Sequence, residues 1–306
     1  MGARVLLTAL AALAAAGSAR AAEETLTVCL DENVPIYSLR HGGKASGFDL
    51  AVADALAKRL GRSLAVQWYE TKLDPDESAV LATAALLSDG RCQLVAEFPL
   101  IRDKLGKLGA ETAKMPDFDG AKPSDRRRRV ALGTLVATHP YHYEALTLLL
   151  SPQQTKPVTG LGDLKGMALG IETSTLGDAI LMLYDDGALV EHITHLIPGR
   201  DELLPGLEKG DFDATLVPLR RFDAYRAAHP DTKIKPSGWY YRIGFNMAFA
   251  GLASEAGLIE QVSKAIDDML AKDELAPLAA AAGMTYVAPR PPEILEHLDL
   301  GDLRNN

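Results

Sequence analysis

Two histidine pairs, His139/His142 and His192/His195, are each spaced three apart. On one helix face that spacing lets two imidazoles share a metal ion. "HITH" lies in a strand-like run, where positions three apart face opposite sides, and "HPYHY" is interrupted by proline. Both pairs therefore read as exposed or locally hydrogen-bonded histidines. "DFDG" (Asp117–Gly120) begins like a calcium loop but lacks the later ligands and the closing Glu, so it reads as a turn. No G-x-S-x-G and no G-x-x-x-x-G-K-[ST] occurs. The expectation is a protein that is not an enzyme, with no metal and no cofactor. One carboxylate stands apart. Asp49, in "ASGFDLAVADALAKRLG" (Ala45–Gly61), sits just before the apolar series Val52, Leu56, Leu60. That is where an N-cap belongs. A carboxylate there can cap the helix, face a ligand, or do both.

The elements that must position Asp49 come from a chain of 306 residues, 47% hydrophobic and 24% charged, which is not a disordered composition. Residues 1–21 read as a cleaved export signal: Arg4, the apolar run Val5–Gly17, and the small-x-small "ARA" ending at Ala21. The apolar run is too short to span a bilayer, and no later stretch is expected to span one. Loss of Arg4 and Arg20 takes the net charge from −9 to −11. An acidic exported chain is a poor partner for nucleic acid. The two cysteines, Cys29 and Cys92, suggest one disulfide in an oxidising compartment, with a reduced buried pair as the alternative.

Strand, helix, strand, helix, strand follow over Thr25–Leu30, Asp49–Gly61, Ser63–Glu70, Glu77–Gly90 and Cys92–Phe98. This order implies parallel pairing with helices on the faces. Pro99–Asp125 reads as an irregular surface excursion, followed by the basic run Arg126–Arg129 and a β-prone stretch to Leu150. The alternation then repeats: strand Met167–Glu172, helix Thr173–Gly187, strand Val190–Leu196, helix Arg200–Asp211, strand Phe212–Pro218. A strand at Arg242–Ala250 and helices around Leu258–Lys272 and Glu274–Ala282 close the chain. Two α/β lobes of similar plan result, with ligands expected in the cleft between them.

"LTVCLDENVPIYS…GGKASGFDLAVADALAKRLG", "LGDLKGMALGIETST", "LPGLEKGDFDATLV" and "LIEQVSKAIDDMLAKDELAPLAAAAGM" resemble, in that order, type II periplasmic solute-binding proteins of the amino-acid type, family 3. The resemblance implies a two-lobed, Venus-flytrap α/β fold with two crossing strands. Lobe 1 would hold residues 22–143 plus 244–306, and lobe 2 residues 144–243. It implies a periplasmic, monomeric receptor that closes on a small-molecule ligand and docks on an ABC permease at the inner membrane. Carried over by position, the ligand-binding residues would be Asp31, Tyr37, Asp49, Tyr141, Ser174 and Thr175, with Arg127 of "SDRR" as the arginine that forks onto a carboxylate. The alternative for Arg126–Arg129 is a solvated basic turn.

Where amino-acid binders place an acid beyond "DA" to meet the ligand ammonium, this chain has "TLVPLRR", with Pro218 near the place. A buried ammonium without a partner is costly, so a free α-amino acid is not a safe ligand. Cys29 in "VCLDENVPIYS", Cys92 in "GRCQLV" and "THPYHY" also resemble binding proteins associated with periplasmic quinoprotein (methanol-type) dehydrogenases. That resemblance implies a non-transport accessory role as the alternative, and adjacent strands on which Cys29 and Cys92 pair. A dehydratase on the same fold is the remote third reading. It would need a general acid in the cleft.

Overall fold

The computed structural model describes residues 24–71, 78–125, 128–298, 301 and 303. The expected signal (1–21) and Arg127 lie outside the described residues.

Two sheets form on one plan. In the first, β1 (Thr25–Asp31) lies between β2 (Ser63–Glu70) and β3 (Leu94–Pro99), parallel to both. β4 (Asp117–Phe118) adds to the β2 edge, and β5 (Leu135–Ala137) and β6 (His142–Glu144) occur further along the chain. In the second, β7 (Leu146–Leu150) precedes β8 (Leu169–Glu172), which lies between β9 (Ile193–Leu196) and β10 (Ala214–Pro218), parallel to both. β7 pairs antiparallel with β10 and with β11 (Lys235–Tyr240). β12 (Phe245–Leu252) returns to the first sheet and pairs antiparallel with β3, β5 and β6. The chain thus crosses between sheets at Ala145, and again between β11 and β12. Its end crosses a third time: Leu295 bonds Leu100 beside the first sheet, while Leu298 and Leu303 pack into the second core.

Strand alternation explains how the first sheet is covered. Leu26, Val28 and Leu30 of β1 point to one face. There they meet Val52, Ala53 and Leu56 of α1 (Phe48–Arg59). Cys29 points to the other face, towards Ala84–Leu87 of α2 (Ala79–Ser88). Because Cys29 is paired in register with Val95, Cys92 arrives at the adjacent strand. The two form a buried disulfide with Cα atoms 5.6 Å apart. In the second sheet Leu169, Ile171 and Leu216 meet Ile180 and Leu181 of α3 (Leu176–Leu183). Leu149 and Val217 on the far face meet α4 (Leu203–Lys209) and α5 (Leu219–Ala228). Among the described residues no helix is long and apolar enough to cross a membrane.

Three expectations need correction. Residues 99–125 are not merely a surface excursion. Leu108, Ala113, Met115 and Phe118 are buried in the core that holds the disulfide, and Thr112–Lys114 pairs with Arg129–Ala131. The apolar residues are too sparse to show a period, but each is used. α5 and β11 fall in a stretch the periodicity left unassigned. Asp49 is not the cap of α1. Gly47 is, at φ +130°, with no side-chain cap. A Cβ there would lie 2.2 Å from the Tyr37 carbonyl oxygen, so only glycine lets the loop approach the helix start this closely.

Candidate functional site

A cavity of about 1750 Å³ opens between the lobes, at the carboxyl ends of their central strands. Its floor is ionic. Glu97 of β3 and Glu144 of β6 come from the first sheet, while Glu172 of β8 and Arg220 and Arg221 of α5 come from the second.

Glu97 is presented by an unusual backbone. Its φ is +57°, the left-handed region that a non-glycine residue avoids. Its amide donates to the Tyr141 hydroxyl at 3.2 Å, and that hydroxyl donates to Asp49 Oδ1 at 2.6 Å. Tyr141 therefore fixes both acids at once. Beside it, the Tyr37 hydroxyl donates to Glu144 Oε2 at 2.6 Å. From across the cleft, Arg220 reaches Glu97 at 3.2 Å and Glu144 at 3.5 Å. Arg221 instead forks onto Glu172 of its own lobe, at 2.6 and 2.8 Å.

Three acids crowd around one guanidinium, and burial raises their pKa values. Glu97 is pushed up to about 8, despite the lowering effect of Arg220. Asp49 is pushed up to about 7, against its hydrogen bond from Tyr141. Glu144 is raised for the same reason, with Arg220 again opposing. Burial disfavours the charge on Arg220, but Glu97 and Glu144 outweigh it and hold its pKa above the usual range. His142 packs among Tyr37, Phe48 and Tyr141, with ring centroids 4.8–5.6 Å away. Burial first, and Arg220 second, push its pKa down to about 3, so the ring is neutral. Fully buried, with no hydrogen-bond partner on either ring nitrogen, it corrects the expectation of an exposed or hydrogen-bonded histidine.

The expected ligand residues divide. Thr175 lines the cavity and caps α3, its hydroxyl oxygen accepting from the Asp178 amide at 3.1 Å. Ser174 is exposed beside it at φ +63°, its amide donating to Asp178 Oδ2. Tyr37, Asp49 and Tyr141 are buried behind the floor and act on it through Glu144 and Glu97. Asp31 ends β1 but turns to the amides of Asn33 and Thr71, a loop-holding role. Arg127 is outside the described residues.

Sequence reading missed Glu97, Glu144, Glu172, Arg220 and Arg221 as a group. A signal existed. Glu97 and Glu144 interrupt apolar, β-prone runs, and the two arginines stand two and three residues beyond Pro218.

No family model matches the chain, and no curated protein matches it. Solved structures do. The L-cystine solute receptor of Neisseria gonorrhoeae, unliganded and open, aligns with a TM-score of 0.62 at 18% identity, covering 88% of this chain and 96% of that one. The second substrate-binding domain of a putative amino acid ABC transporter from Streptococcus pneumoniae aligns with 0.59 at 15%, covering 85% and 100%. Substrate-binding domain 2 of Lactococcus lactis GlnP, in an open conformation, aligns with 0.59 at 16%, covering 85% and 95%. At these identities the likeness concerns architecture: the chain has the two-lobed α/β fold of periplasmic binding proteins.

Proposed function

We propose that this chain is an exported solute receptor. Its two lobes, which meet at the crossings at Ala145 and between β11 and β12 with the chain end packed on the second, close on a small polar solute, an amino acid or an organic acid or amine. The closed form then docks on an ABC permease at the inner membrane. The observation that carries the reading is the cavity itself: its floor takes Glu97 and Glu144 from one lobe and Glu172, Arg220 and Arg221 from the other. A solute seated there touches both lobes, and binding energy then shifts the open–closed equilibrium.

A thermal-shift panel of amino acids, amines and small carboxylates tests this. A ligand that binds the native chain raises its melting temperature, and at least one member is expected to do so. A flat response to the whole panel overturns the receptor reading and turns attention to the dehydrogenase-accessory role. One observation favours the catalytic alternative: Glu97, with a pKa near 8, is a carboxyl that stays largely protonated in the cleft at neutral pH. The receptor reading expects no turnover of prephenate-like acids by the purified chain.

A further inference from the structure

The cleft carries more acidic than basic side chains. Glu97, Glu144, Glu172 and Asp201 line it, against Arg220 and Arg221, and Asp54 at its edge is paired with Lys58. Arg221 is spent on Glu172 in a short bidentate fork. That leaves Arg220 to serve Glu97 and Glu144, at the long separations of 3.2 and 3.5 Å, with Asp49 behind them. The deficit shows in single atoms. Glu144 lines the cavity with its side chain only 9% exposed, and its Oε1 is buried without a hydrogen-bond partner. Asp49 Oδ2 is in the same condition. Burying such oxygens unpaired is costly, and a cation seated in the cleft in front of them would offset their negative charge. The walls above are apolar: Ile36, Leu50, Ile101, Leu146, Ile171 and Leu204.

We propose that the solute is a protonated primary amine on an apolar body, its ammonium set between Glu97 and Glu144 and its body along those walls. The inference rests on the receptor reading above and names its ligand class. An ammonium brings three donors, which the partly exposed oxygens of Glu97 can accept, while its charge offsets that of Glu144 just behind the cavity surface. A quaternary ammonium brings the charge without the donors. The cation is organic, because among the described residues no group of three His, Cys, Asp or Glu is placed to hold a metal ion. No carboxylate on the solute is required, since Arg221 is already occupied and Arg220 is outnumbered. The neighbours facing the subsite do not supply the missing charge. His142 is neutral, and Tyr37 and Tyr141 are hydroxyl donors to the acids themselves. At pH 7 Glu97 is largely protonated, so an ammonium set against its carboxylate displaces that proton and binding releases it.

Titration calorimetry on the mature chain tests this with n-butylamine, n-hexylamine and phenethylamine. The comparison probes are phenylalanine, 3-phenylpropionate and the trimethylated form of phenethylamine. At least one primary amine is expected to bind ten-fold or more tighter than 3-phenylpropionate and the quaternary analogue. Its heat should vary with buffer ionisation enthalpy in the sense of proton release. Glu97→Gln should weaken that binding at least ten-fold while circular dichroism and a cooperative melt show that the chain remains folded. The inference is overturned if a solute of the wider panel binds while all three amines are silent. It is also overturned if phenylalanine binds and phenethylamine does not, or if folded Glu97→Gln binds the amine as the parent does. In each of those cases the receptor reading stands. Silence of every solute overturns both.

Discussion

Arg220 and Arg221 are neighbours in sequence, leave the same first turn of α5, and end in opposite situations. Arg221 stays in its own lobe and meets one buried carboxylate with two short hydrogen bonds. Arg220 crosses the cleft and is shared between two carboxylates at longer range. The second lobe has therefore settled its central charge internally, whereas the first holds three acids and borrows one cation from across the gap. On a common strand plan, one lobe is electrostatically closed and the other is left requiring a partner. Under the proposed receptor reading, that asymmetry says which side a solute cation would engage.

The largest expected effect concerns how the first lobe tolerates this. It is the lobe that carries the disulfide, whose closed loop spans a sequence separation of 63. Replacing both cysteines, Cys29→Ala with Cys92→Ala, is expected to cost about 4 kcal/mol by loop-entropy arguments. The second lobe contains no part of the loop. Calorimetry of the double variant should show the first lobe melting earlier and apart from the second. A single transition at the parent temperature would deny that the staple supports the lobe with the uncompensated acids.

The two arginines can be set against each other directly. Arg221→Met leaves Glu172, 5% exposed, without its fork. Breaking a fully buried pair costs 3–5 kcal/mol, but Arg221 is 34% exposed, so about 2 kcal/mol is expected. Arg220→Met should cost under about 1 kcal/mol at pH 6, because Glu97 and Asp49 then hold protons and need the guanidinium less. Its cost should grow as pH rises past 8. Chemical denaturation of both variants at pH 6 and pH 9 reads this. Equal costs at pH 6 would erase the distinction between the lobes.

Glu97→Gln sharpens the same point through a slope. Below its ordinary value of 4.5 the carboxyl is protonated in both folded and unfolded chains, so its contribution to folding is fully present there. Between 4.5 and about 8 the folded chain holds a proton that the unfolded chain has lost, so stability falls as pH rises through that window. Asp49 adds a fall of the same sign between 3.8 and about 7. The glutamine variant should therefore show a shallower decline in melting temperature from pH 5 to pH 8. An unchanged slope would mean that Glu97 is not held protonated by burial.

How much of this was legible in the sequence follows a physical rule. The 3.6 and 2.0 periods gave β1, α1, β2, α2 and β3 within a few residues, because each buries a continuous face that local pattern records. Residues 99–125 bury their apolar side chains singly, and no period survives. α5 was overlooked although Leu219, Phe222 and Asp223 are buried at i, i+3 and i+4 after Pro218. The charged arginines between them masked the stripe. The floor of the cleft was the least legible part. Arg220 meets Glu97 over 123 residues and Tyr37 meets Glu144 over 107, and only the topology brings those residues together. Position in a resemblance pointed to Tyr37, Asp49 and Tyr141, which lie behind the floor and not on it, and passed over the ionic groups they support.

The smallest expected effect compares the first helices of the two lobes. α3 begins at Thr175, whose hydroxyl oxygen accepts from the Asp178 amide while Asp178 Oδ2 accepts from the Ser174 amide. Thr175 is thus a side-chain N-cap, and Asp178 reaches back one residue beyond it. α1 begins at Gly47 with no side-chain cap, and its acid, Asp49, is turned inward to Tyr141. Thr175→Ala should therefore cost about 1 kcal/mol, the ordinary value of a lost cap. Asp49→Asn keeps an oxygen for the Tyr141 hydroxyl and removes a buried charge, so it should cost less than Thr175→Ala at pH 8, where the parent Asp49 is ionised. If Asp49→Asn proves the more damaging of the two at pH 8, then Asp49 stabilises α1 through its charge after all, and the inward carboxylates of the first lobe are less starved of positive charge than their geometry indicates.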